Sequence, residues 1–188
     1  MSANIIKHLE SYMGTAIHNV DPNTQTVNKE KVDSNFDLIA QAAIPAVLAA
    51  VYKYSRSEEG AEYLAKDTAI TPSRIFADQD DEIASRIASF SKIENGFAAR
   101  IVNDLTAETV RYYRSEMKND ISADKVQLFF GSIRENILGA LPADLQLGNL
   151  LNDDTLDDNT NKMKGPASGL AQSIQNAFSS VGTKREES

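Results

Sequence analysis

The sequence predicts an all-α protein: a compact multi-helix bundle followed by a flexible acidic linker and a C-terminal amphipathic helix. Three observations point there. Apolar residues recur at three- and four-residue spacing through most of the chain, as they do in helices that bury one face. No segment alternates apolar and polar residues between hairpin turns, so the sign of a strand is missing. The stretch QAAIPAVLAAVYKY, residues 41–54, is rich in Ala and apolar round the helical wheel, as suits a helix surrounded by others.

Element by element, Ile5, Ile6, Leu9, Tyr12, Met13 and Ile17 predict an amphipathic first helix over residues 4–19. The turn formers DPNTQTVN, residues 21–28, break it. A second helix is expected from about Lys29 into the apolar stretch, where Pro45 kinks it or starts a new helix. Ser55 and Glu58 fit a capping box for a short helix holding Tyr63 and Leu64. Thr71 and Pro72 signal the start of another, with Ile75 and Phe76. DQDDE, residues 78–82, sets carboxylates ahead of a helix lined by Ile83, Ile87 and Phe90, where they complement the helix dipole. Ile93, Phe97, Ile101, Val102 and Leu105 continue the helical pattern, and Thr106 is expected to cap a further helix with Val110, Tyr113 and Met117. Ser122 precedes a helix through Val126, Phe129, Phe130 and Ile133 that continues toward Leu138 or stops near Gly139.

The domain boundaries follow from composition. Residues 1–151 form the bundle, and NDDTLDDNTNKMKGPASG, residues 152–169, is an acidic flexible linker. Residues 170–182 form the last helix, with Leu170, Ile174, Phe178 and Val181 on one stripe.

Composition also narrows function. The chain has 188 residues, 41% hydrophobic and 24% charged, which is the range of folded domains. A net charge of −8 repels phosphate backbones, so no nucleic acid is expected as partner. Without cysteine there are no disulfides, thiolate metal sites or cysteine nucleophiles. Lys7 and Glu10 stand where a signal peptide needs an unbroken apolar run, which makes the cytoplasm the expected location. Asp37, Gln41, Lys53 and Arg56 bound the apolar run short of the roughly 20 residues a bilayer requires, so no transmembrane segment is expected.

The segments IPAVLAAVYKYSRSEEGAEYL, IASFSKIENGFAARIV and SADKVQLFFGSIRENILGALPADLQLGNLL, residues 44–64, 87–102 and 122–151, carry a resemblance. An apolar helix with an Ile-Pro step, followed by a Ser-x-Glu-Gly-Ala turn, resembles the YidB-like family of small helical bacterial proteins. The resemblance implies an all-helical fold and a family without an assigned activity, and it supplies no catalytic residue.

The residues themselves offer little chemistry. His8 and His18 stand ten residues apart, about 1000 degrees round a helix, so they do not share a metal and read as surface or helix-end histidines. No HExxH, GxSxG or GxxxxGK[ST] motif is present, and GPASG, residues 165–169, reads as a hinge. The acidic clusters at 78–82 and 152–159 lack the glycine and terminal glutamate of a calcium loop. In RYYR, residues 111–114, at most one tyrosine and one arginine share a helix face, and Tyr113 belongs to the core stripe. The expectation is therefore no catalytic residue, no cofactor and no metal.

What remains is contact. The stripe Leu170, Ile174, Phe178 and Val181 is the candidate partner-binding face, suited to a groove on a protein partner or to self-association. Its polar side holds Gln and Ser, whereas a membrane-surface helix calls for Lys or Arg. The alternative is a small-ligand protein or enzyme whose site is built from scattered polar residues, with Glu58 and Glu59 as candidates.

Overall fold

The computed structural model describes residues 4–156 apart from 33, 67, 68, 119 and 154. In chain order these form α1 (Asn4–Met13), a 3-10 turn (Lys29–Lys31), α2 (Asn35–Ser55), α3 (Glu58–Lys66), α4 (Pro72–Ile75) and α5 (Asp80–Ser91). There follow α6 (Asn95–Met117), α7 (Ala123–Ser132), α8 (Arg134–Ala140), a second 3-10 turn (Ala143–Leu145) and α9 (Leu147–Leu151). The described residues contain no strand, and the fold is all-α as the sequence predicts.

The apolar stretch is the axis of the bundle. Helix α2 is buried without a break from Ile39 to Val51, because α1 and α3 to α8 all pack against it. Six of the positions in that run are alanines, which let neighbouring helices approach closely. With 21 residues, α2 is long and apolar enough to cross a membrane by length and composition. Contrary to the sequence expectation, length therefore does not exclude a span; here most of its side chains face the rest of the chain.

Helix α2 also runs unbroken through Pro45, so no new helix starts there. An interior proline costs about 3 kcal/mol. Burying Ile44, Val47, Leu48 and Val51, each completely enclosed, contributes about 1.5–3 kcal/mol apiece and outweighs it.

Several helix ends differ from the sequence expectation, each for a local reason. Helix α1 stops at Met13, not at residue 19, because Gly14 turns left-handed at φ 74° and the chain leaves the helix. Helix α2 starts at Asn35 under a Ser34 cap, whose Oγ accepts from Asp37 N at 3.1 Å. The cap of α3 is Ser57, which accepts from Gly60 N at 3.0 Å; Ser55 is buried and donates to Tyr52 O at 2.7 Å.

Thr106 caps nothing. It lies inside α6, buried, and donates back to Val102 O at 2.8 Å, because apolar contacts continue on both sides of it. The helix after Ser122 is two: Ile133, at φ −105° and ψ 1°, separates α7 from α8. Other starts agree with the sequence. Thr71 and Pro72 open α4, Ser122 caps α7, and Asp80, Asp81 and Glu82 fill the first turn of α5.

Past α9 the chain still packs: Leu156 is buried and Asp153 pairs with Arg56 at 2.8 Å. The expected helix over residues 170–182 lies outside the described residues.

Candidate functional site

Two arrangements on the bundle bring chemistry together. The first is a groove beside the end of α5. Sequence patterning assigns Phe90 to the core face of that helix, yet it is only half-buried and forms part of the groove wall. Lys92 ends α5 in a left-handed conformation, φ 56° and ψ 47°, with its N–H on Ala88 O. Lys92 lines, together with Val27, Val32 and Leu38 as the apolar floor, a hollow of about 570 Å³.

The far wall is held by turn chemistry. Asp21 Oδ1 accepts from Asn23 N and Thr24 N at 2.8 and 3.1 Å, closing a tight loop. Gln25 O accepts from Ala143 N at 3.1 Å, and this ties the loop to the 3-10 turn that carries Asp144. Thr26 and Asp144 complete the wall.

A second hollow of about 470 Å³ adjoins the first, sharing Phe90 and Asp144 with it. It is polar. Glu82, Ser85, Arg86 and Ser89 line it from one face of α5, as three- and four-residue spacing requires. Arg86 is held by three hydrogen bonds: it donates to Glu82 Oε1, Leu145 O and Gln146 O, each at 2.9 Å. By contrast the side chains of Ser85, Ser89, Lys92 and Asp144 hold no hydrogen-bond or ion-pair partner among the described residues.

The second arrangement joins α1 to α6. Glu108 is 6% exposed, and Arg111 clamps it with Nε on Oε2 at 2.8 Å and a terminal nitrogen on Oε1 at 2.5 Å. His8 Nε2 bonds the same Oε1. The His8 ring lies over Tyr112, with centroids 4.5 Å apart. The Arg111 guanidinium holds the Glu108 carboxyl below its usual range against the opposing effect of burial, with His8 adding to it. Burial pushes the Tyr112 hydroxyl up, and the Glu116 charge adds to this. That hydroxyl is enclosed and has no hydrogen-bond partner among the described residues.

His8 is thus no simple surface or helix-end histidine. It is bonded to a carboxylate 100 residues along the chain, a pairing that sequence spacing cannot reveal. His18 lies past the end of α1 and anchors through its backbone. The RYYR residues all serve packing: Arg111 holds Glu108, Tyr112 meets His8, and Tyr113 and Arg114 both donate to Leu64 O, at 2.5 and 3.0 Å. Tyr113 in the core agrees with the sequence; Tyr112, also buried, was legible only from its neighbour on α1.

Glu58 and Glu59 open α3 on the surface, and Glu59 meets Arg74 at 3.3 Å. Leu170, Ile174, Phe178 and Val181 lie outside the described residues. Among those residues no group of three His, Asp or Glu side chains is arranged to hold a metal ion. In comparisons with known proteins, no family model, no curated protein and no solved structure matches this chain.

Proposed function

We propose that the protein works without catalysis, by binding a protein partner at the groove beside α5. One observation supports this reading above others: an open apolar floor of Val27, Val32 and Leu38, flanked by charges that have no partner of their own. Protein interfaces have this build, an apolar centre within a polar rim. The Glu108 cluster, in contrast, has its oxygens taken up in fastening α1 to α6.

The experiment places a photo-crosslinking amino acid at Val27 and Ser89, with exposed Leu128 as a distant control. A partner joined from both groove positions, missed from Leu128, and no longer bound by purified Leu38→Asp protein supports the reading. Crosslinks from Leu128 alone overturn it.

The same proposal includes the stripe Leu170, Ile174, Phe178 and Val181, whose spacing supplies a further apolar face. Truncation after Gly165 then weakens partner binding, and unchanged binding removes the stripe. The likeness of residues 44–64, 87–102 and 122–151 to the YidB-like family belongs to the proposal too.

A second reading, a small-ligand protein, draws on the hollow's size. About 570 Å³ lies within the roughly 300–1,000 Å³ of ligand pockets. A thermal-shift screen of apolar metabolites favours it if one compound stabilises the protein and Leu38→Asp removes the effect.

A further inference from the structure

We propose that His8 is a phosphoryl acceptor: its Nδ1 takes the phosphoryl group of an activated donor of the phosphoramidate class, with Glu108 as the positioning residue. The assignment stands apart from the groove and rests on the cluster that joins α1 to α6.

The tautomer of the ring is the first support. Arg111 keeps the Glu108 carboxyl ionised, and an ionised carboxylate only accepts hydrogen bonds. His8 Nε2, bonded to Glu108 Oε1, therefore carries the proton. In the neutral ring the lone pair then belongs to Nδ1, which has no hydrogen-bond partner among the described residues. The His8 side chain is 32% exposed, which lets a small donor reach the ring.

The second support is charge. Attack through Nδ1 leaves the ring cationic, because Nε2 keeps its proton. The Glu108 carboxylate on that proton stabilises the cation as it forms, and so does the Tyr112 ring, whose centroid lies 4.5 Å from that of His8. The same two contacts hold the imidazole in place, since it cannot turn without giving them up.

The third is a cation for the incoming anion. Arg111 bonds the same Glu108 oxygen as His8 and is 70% exposed. It uses Nε and one terminal nitrogen on Glu108, which leaves its other terminal nitrogen for a phosphoryl oxygen. In the step itself the Nδ1 lone pair attacks phosphorus and the Nδ1–P bond forms. The donor's P–N bond breaks, and its nitrogen, protonated by water, leaves with the bonding pair as an amine.

Potassium phosphoramidate, added to the full chain near neutral pH, tests this. The chain has 2 histidines, so His18 is the internal control. The adduct is expected on His8 Nδ1, identified by peptide mass and phosphorus NMR, and to form roughly tenfold faster than on His18, the scale of one charge-assisted hydrogen bond. In urea the two histidines are expected to react alike. Glu108→Gln, with its helices verified by circular dichroism, slows His8 by a similar factor and leaves His18 unchanged. Arg111→Gln slows transfer from phosphoramidate but not carbethoxylation of His8 by uncharged diethyl pyrocarbonate. Equal adducts on the two histidines of the folded chain, attachment at Nε2, a preference that survives urea, or a rate indifferent to Glu108→Gln overturns the proposal. Equal slowing of both reagents by Arg111→Gln overturns the phosphoryl assignment.

Discussion

The Gln41 side chain and the His18 backbone exchange two hydrogen bonds: His18 N donates to Oε1 at 2.7 Å, and Nε2 donates to His18 O at 2.9 Å. The second Nε2 proton goes to Ala140 O at 3.0 Å, so one buried amide joins α2, the loop after α1 and the end of α8. Gln41→Leu keeps the volume and leaves three backbone groups without their partner. We expect a loss of about 2–4 kcal/mol, since each unsatisfied buried group costs about 1–3 kcal/mol and His18 is only partly buried. Urea unfolding measures it; a loss below about 0.5 kcal/mol would show that water replaces the amide.

Glu108 gives the protein an acid-side pH dependence. Its carboxyl is held below the ordinary value of 4.5, chiefly by Arg111. A depressed folded pKa contributes stability that is present above the unfolded value and lost as pH falls through the folded one. Glu108→Gln is therefore expected to be less stable at pH 7 by about 1–3 kcal/mol and to lose less on acidification below pH 4.5. Identical acid slopes for the two proteins would refute the assignment.

Tyr113 acts at the other end of the scale. Burial pushes its hydroxyl from 10.0 up to about 12. A raised folded pKa means stability intact below 10 and lost as pH climbs toward about 12. Tyr113→Phe is expected to cost about 1 kcal/mol at neutral pH, through the lost bond to Leu64 O, and to flatten the alkaline decline. Alkaline unfolding curves that superimpose after the substitution would contradict this.

Gly60→Ala should damage the protein although alanine favours helices by about 1 kcal/mol. A Cβ at that position lands on the Tyr54 carbonyl and within 2.7 Å of Ser57 Oγ, because the α2–α3 turn brings the backbones together. The expected net loss is about 2 kcal/mol or more, read from the thermal midpoint. A stabilised variant would mean that the turn opens freely.

Much of the fold was legible because helices write their burial locally. Ile83 and Ile87 on α5, Val102 and Leu105 on α6, and Val126 and Phe130 on α7 are buried where three- and four-residue spacing places them. Caps were less legible. Ser55 and Ser57 are equally good in sequence, and only the buried place of Ser55 leaves capping to Ser57. Thr106 likewise has a cap's chemistry but an interior position, where Val102 O is the acceptor at hand.

The candidate site was hardly legible at all. Val27 and Val32 sit in a turn-rich stretch with no period, and Asp144 is one acidic residue among many. They become a site because Gln25 O ties their loop to Ala143 N, a contact between residues more than a hundred positions apart.

By itself the sequence determined the all-helical class, the order of most helices and the enclosure of the segment around Pro45, since hydrophobic spacing and propensity act within a few residues. Only the tertiary structure decided that α2 continues through its proline, that His8 meets Glu108, and that Phe90 stands open beside Lys92. Those outcomes depend on which distant surfaces meet, and the free energy that selects them is gained in packing between elements and not along the chain.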